Sequence, residues 1–225
     1  MYLSKVTSWG LIIGGAFSLV GFMIFSISLG LLEDQEPAAE LKSLQDNQLI
    51  VAVMLVAVVG VFTYMAKSLL QVGQAVKVTD EWYMFMRMSI ILMLATLFTS
   101  MGLWMGAASE TTTLDIYVMT EAVGSSIDNI QLITGSFVFF ILTVFALKNG
   151  AGSLIFRGLI AILGILAVVD ILGVLSIIGD IEDNAVGMVT WFAWGLSLIG
   201  IGVIGLRTDV VAGFRWWGAV QRSVD

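Results

Sequence analysis

The chain has no cysteine, no histidine and a single proline, and only 12% of its 225 residues are charged. Each shortage closes off some chemistry. Without cysteine there is no disulfide, no thiolate nucleophile, no iron–sulfur cluster and no thiolate-bound zinc. Without histidine there is no imidazole-ligated haem, no ordinary zinc or copper centre, and no side chain that titrates near neutrality unperturbed. The sequence also lacks a Gly-rich phosphate loop on a strand–helix unit, a Ser–His–Asp set and a metal-binding pair, so it is expected to be no enzyme and to hold no cofactor.

What it has in abundance is apolar surface. Hydrophobic residues make up 59% of the chain, and the mean hydropathy of +1.01 lies outside the range of soluble globular proteins. A helix needs about 20 apolar residues to cross a hydrocarbon core about 30 Å thick. Six runs meet that length: 9–32, 49–66, 82–107, 131–147, 154–178 and 185–206. They are long and continuously apolar, unlike the alternating segments of about 10 residues that build a barrel, so the expected fold is all-α, a single six-span membrane domain. The first run is expected to remain as a span, because it exceeds the usual signal-peptide core and no clear small-residue cleavage site follows it.

Charge sorts the connections into two sets. Lys5, Lys67, Lys77, Arg87, Lys148, Arg157, Arg207, Arg215 and Arg222 fall at the amino terminus, the even-numbered connections or the carboxyl tail. Glu33, Asp34, Glu36, Glu40 and Asp46 fall in the first connection, Glu110, Asp115, Glu121 and Asp128 in the third, and Asp180, Glu182 and Asp183 in the fifth, with Lys42 the one basic residue among them. Lysine and arginine are retained in the cytoplasm, so both termini are expected there, in the plasma (inner) membrane. The net charge of −7 therefore averages a basic face and an acidic one, and nucleic acid is not an expected partner. Residues 207–225 form an interfacial tail in which Phe214, Arg215, Trp216 and Trp217 read as anchors. Arg87 and Arg157 sit close enough to the basic boundary to snorkel.

Within the spans, small residues mark helix-packing faces, because apolar side chains gain little by leaving lipid and close backbone approach supplies the contact energy instead. Gly10, Gly14, Ser18 and Gly21 form such a track in the first span, and Gly195, Gly200, Gly202 and Gly205 fall in the sixth. Ser89, Thr96, Thr99 and Ser100 lie on roughly one stripe of the third span. They either line a polar pathway or, as serine and threonine in helices usually do, close on the preceding turn. The six methionines of the same span read as adaptable core filling, not a soft-metal box.

Asp170 is the one acidic residue inside an apolar run, about ten residues from the outer end of the fifth. A carboxylate at such depth costs about 2.5–3.5 kcal/mol on insertion scales, so it serves either as a proton or cation site or as an interhelical hydrogen-bond partner. The cluster Asp180, Glu182, Asp183, Asn184 lacks the spacing and glycine of a calcium loop and reads as a solvated turn. In the third connection Leu114, Tyr117, Val118 and Glu121 have helical spacing, which leaves a short amphipathic helix and an irregular loop equally open.

Two functions fit these features. The first is a structural or accessory subunit that packs against other membrane proteins or copies of itself. The second is a small transporter or channel with Asp170 as its coupling group. Transporters often carry paired repeats and helices broken near the midplane, whereas the one proline here, Pro37, lies in a connection and the two halves of the chain show no convincing similarity, which favours the first.

Overall fold

The computed structural model describes residues 3–30, 36–175 and 185–207, with side chains from 187 onward in the last stretch. Glu33, Asp34, the Asp180 to Asn184 cluster and the aromatic tail lie outside these residues. The protein is an all-helical, multi-pass integral membrane protein: among the described residues, six helices are long and apolar enough to cross a bilayer.

Helix α1 (Lys5–Ser28) starts where Ser4 Oγ accepts a hydrogen bond from the Thr7 amide at 3.1 Å, satisfying one of the free donors of the first turn. Pro37, whose missing N–H costs nothing at a first helical position, opens the short helix α2 (Pro37–Asp46). The long helices α3 (Gln48–Ala75), α4 (Asp80–Ala107) and α5 (Leu114–Lys148) follow. Helix α6 (Leu154–Val174) is capped by Ser153 Oγ on the Phe156 amide, and α7 (Ala185–Leu206) completes the bundle.

Chain reversals at the basic end rest on left-handed residues. Gly150 (φ 58°) ends α5, with the Ala151 amide reaching back to the Ala146 carbonyl at 2.9 Å. The end of α3 has the same closure, Val78 N–H to Gly73 O at 3.0 Å, but with Lys77 (φ 60°) where glycine is usual. Asn149 ties the two reversals together, donating to the carbonyls of Val76 at 2.8 Å and Lys77 at 3.3 Å.

The six spans form a closed ring, each antiparallel to its neighbours, in the order α1, α3, α4, α5, α6, α7 and back to α1. The centre is filled. Val58, Met65, Met86, Ile90, Val138, Leu142, Ile160, Leu163 and Leu198 share one core, and the Phe139 ring of α5 meets Trp194 of α7 across it, edge to face at 5.9 Å. A second, smaller core sits at the acidic end, where Leu41 and Leu44 of α2 cover Val51, Ala107 and Tyr117.

Lipid supplies no hydrophobic drive between spans, so glycines decide how closely they approach. A Cβ on Gly15 would lie 2.6 Å from the Gly195 carbonyl oxygen, and one on Gly202 would lie 2.6 Å from the Ser8 carbonyl oxygen. The α1–α7 contact that closes the ring is therefore backbone against backbone.

One boundary differs from the sequence-based expectation. Helix α5 begins at Leu114 and runs unbroken for 35 residues, absorbing most of what reads as the third connection. The polar side chains of Ser125, Ser126, Asp128 and Asn129 look like a loop, but no proline interrupts the segment and Gly124 alone does not break it. Helix α6 ends at Val174, about one turn beyond Asp170, whereas the end expected at residue 178 lies outside the described residues.

Candidate functional site

The chemistry-bearing side chains concentrate at the acidic end, around the part of α5 that extends past the apolar run. Spacing of about 3.6 residues per turn puts Tyr117, Glu121, Gly124 and Asp128 on the α5 face that meets the end of α4. Between the two helices lies a cavity of about 140 Å³, lined by Trp104 and Ala107 from α4 and by Tyr117, Glu121, Ser125 and Asp128 from α5. Gly124 is buried in its wall with nothing within 4 Å of where a Cβ would be, so it leaves the cleft open.

Hydrogen bonds hold this end together. The Ser100 hydroxyl of α4 donates to the half-buried Asp128 carboxylate of α5. The buried Tyr117 hydroxyl donates to Glu40 of α2. Gln45 Nε2 donates to the carbonyls of Ser109 at 3.0 Å and Thr112 at 3.1 Å, fastening α2 over the α4–α5 connection. Ser43 of the same helix donates to the Leu29 carbonyl. Two of the carboxylates at this end, Glu40 and Asp128, are thus engaged in joining helices. Among the described residues no three acidic side chains converge as metal ligands would.

The residues singled out from the sequence are spread over several places. Gly10 and Gly14 face α3, where added Cβ atoms would strike Ser68 Oγ at 2.1 Å and the Met65 side chain at 2.6 Å. Ser18 is buried and closes on its own helix, Oγ to Gly14 O at 2.9 Å. Gly21 ends a π turn, Phe17–Gly21, in which the Phe22 amide bonds five residues back to Phe17. That extra residue rotates Gly21 off the track of Gly10 and Gly14, and its nearest neighbour is the Phe17 ring of the same helix. On the hydroxyl stripe, Thr96 bonds the Leu92 and Met93 carbonyls at 3.0 Å and Thr99 bonds the Ala95 carbonyl at 2.8 Å. Ser89 is buried, and Ser100 is the member that reaches another helix. Asp170 is half-buried, and no hydrogen bond or ion pair joins it to another side chain among the described residues.

Asp128, Gly15 and Gly164 were not distinguished by sequence reasoning. For Asp128 a usable signal exists: the spacing of Leu114, Tyr117 and Glu121 continues in phase through Gly124 to Asp128. Gly15 and Gly164 carry no local signal, because their role depends on which helix lies opposite. Comparisons of the chain with protein-family models, with curated proteins and with solved structures give no match.

Proposed function

We propose that this chain is a structural subunit of a membrane protein assembly, holding no cofactor and catalysing no reaction, with its termini in the cytoplasm and its acidic end outside. The observation that carries this reading is the length and surface of α5. Its 35 residues span about 52 Å at 1.5 Å per residue, against a hydrocarbon core of about 30 Å, so several turns rise beyond the bilayer at the acidic end. On those turns Ile116, Met119 and Val123 are exposed, at 48%, 64% and 48%. A helix whose outer turns served only as a solvated post would carry polar residues there; a helix that docks a partner carries apolar ones.

The interior supports the same reading. Phe139 and Trp194 occupy the centre of the ring, and Thr96 and Thr99 spend their hydroxyls on their own helix, which leaves little to line a polar pathway. The placement of the acidic end outside rests on the lysines and arginines gathered at the other end.

The test is native mass of the chain extracted from its own membrane in mild detergent, with identification of everything bound. A stoichiometric assembly is expected. A lone monomer overturns the reading, and cation flux into liposomes, wild type against Asp170→Asn, then becomes the measurement of a transport role.

A further inference from the structure

We infer that one partner is a second copy of this chain, paired through α5 in a parallel, two-stranded coiled coil. The inference rests on the reading of the chain as an assembly subunit and adds the identity of a partner.

The exposed residues on the outer turns of α5 recur in alternating steps of three and four: Ile116, Met119, Val123, Ser126, Ile130. All five are exposed, Ile130 at 50%. The same phase continues down the helix through Ile133, Phe137, Phe140, Val144 and Leu147, of which Ile133 alone is only partly exposed. This is a repeat of about 3.5 residues, not the 3.6 of a straight helix. The opposite face of α5 is packed inside the bundle with the same spacing, at Tyr117, Gly124, Val138 and Phe145, so the phase by itself follows from that packing. What sets the seam apart is that Ile116, Met119, Val123 and Ile130 keep it apolar on turns that rise past the bilayer.

Three features select a second copy as the occupant. First, the seam has β-branched residues at the a positions outside the bilayer, Ile116, Val123 and Ile130, and residues unbranched at Cβ, Met119 and Ser126, at d, the side-chain shapes of two parallel strands although neither d residue is leucine. Second, two copies of one membrane protein share orientation and depth, so their α5 helices meet parallel and in register, pairing each seam residue with its own counterpart. Third, self-pairing of an acidic surface would be repulsive, yet the flanking e and g positions on these turns are Thr120, Ala122, Ile127 and Asn129, with Asp115 the one charge, at the very tip. Glu121 and Asp128 sit at f, turned toward the α4 cleft and away from the seam.

The absence of cysteine makes the test direct. Single variants Met119→Cys and Val123→Cys on the seam, and Val118→Cys and Ser125→Cys at exposed c positions, are oxidised in native membranes and in lipid-diluted proteoliposomes of the purified chain. The seam variants are expected to give disulfide dimers at least about fivefold more efficiently than the c variants, and to keep that ratio on dilution with lipid. Val123→Lys, which puts like charges face to face in the seam, is expected to reduce the dimer fraction by about tenfold in native mass while leaving the monomer folded. Equal cross-linking at all four positions overturns the inference, as does a ratio that falls away on dilution. Seam cross-links to an unrelated subunit overturn it too but leave the subunit reading standing, whereas a monomer in native membranes overturns both.

Discussion

The Thr143 hydroxyl of α5 donates to the Ile160 carbonyl of α6 at 2.7 Å, and a Cβ placed on Gly164, one turn further along α6, would lie 2.5 Å from that same hydroxyl oxygen. The bond exists because the glycine admits it. Without the close approach at Gly164, Thr143 would turn back onto its own helix, as Thr96 and Thr99 do in α4.

Gly164→Ala should therefore destabilise the protein by about 1–3 kcal/mol, since threonine is branched at the point of contact and cannot swing away. Thr143→Ala alone should cost about 0.6–1.7 kcal/mol, the range of interhelical hydrogen bonds in membranes. The double variant should recover part of the glycine loss but not all, because the Thr143 Cβ itself lies 2.8 Å from the added carbon. Thermal unfolding of the four proteins in one detergent measures this, and strict additivity would show that the two residues do not meet.

Glycines in this chain should divide into two classes under alanine substitution. Gly202→Ala meets backbone, the Ser8 carbonyl oxygen at 2.6 Å, and must push α1 from α7 and open the ring. Gly60 and Gly102 have nothing within 4 Å of an added Cβ. Gly60→Ala and Gly102→Ala should leave stability unchanged or raise it by up to about 1 kcal/mol through helix propensity, against a loss of about 1–3 kcal/mol for Gly202→Ala. Unfolding midpoints in the same detergent rank the three.

Much of the architecture was legible beforehand for one physical reason. A bilayer demands about 20 apolar residues per crossing and full internal satisfaction of the backbone, so six long runs already imply six helices. The outer half of α5 was not legible in this way, because it leaves the apolar run, is rich in weak helix formers such as Gly124, Ser125, Ser126, Asp128 and Asn129, and is held by contact with α2 and α4, through Tyr117 with Glu40 and Asp128 with Ser100. The ring order was illegible for a similar reason. Gly10, Gly14 and Gly15 are equally small, and only the neighbouring helices decide that Gly10 and Gly14 serve α3 while Gly15 serves α7.

Sidedness can be read by labelling. Lys148 is exposed at the basic end and Thr111 at the acidic end, and the chain has no cysteine to interfere. In intact cells a membrane-impermeant maleimide should label Thr111→Cys, and should reach Lys148→Cys only after the membrane is opened. The reverse pattern would overturn the cytoplasmic placement of the termini.

Lys77 holds a left-handed conformation, φ 60°, at the end of α3, where a side chain costs about 1–2 kcal/mol relative to glycine. Asn149 fixes that reversal through its bonds to the Val76 and Lys77 carbonyls. Lys77→Gly should raise stability by up to about 1 kcal/mol, the strain relieved being partly offset by the greater freedom of glycine in the unfolded chain. Asn149→Ala should lower it by about 1 kcal/mol, leaving two carbonyls to water. If Lys77 is retained for its charge and not for its conformation, Lys77→Gly should gain stability in detergent yet lower the fraction of chains inserted with the basic end inside, as read by the Thr111→Cys label. A stabilised variant with unchanged insertion would assign orientation to the remaining lysines and arginines of that end.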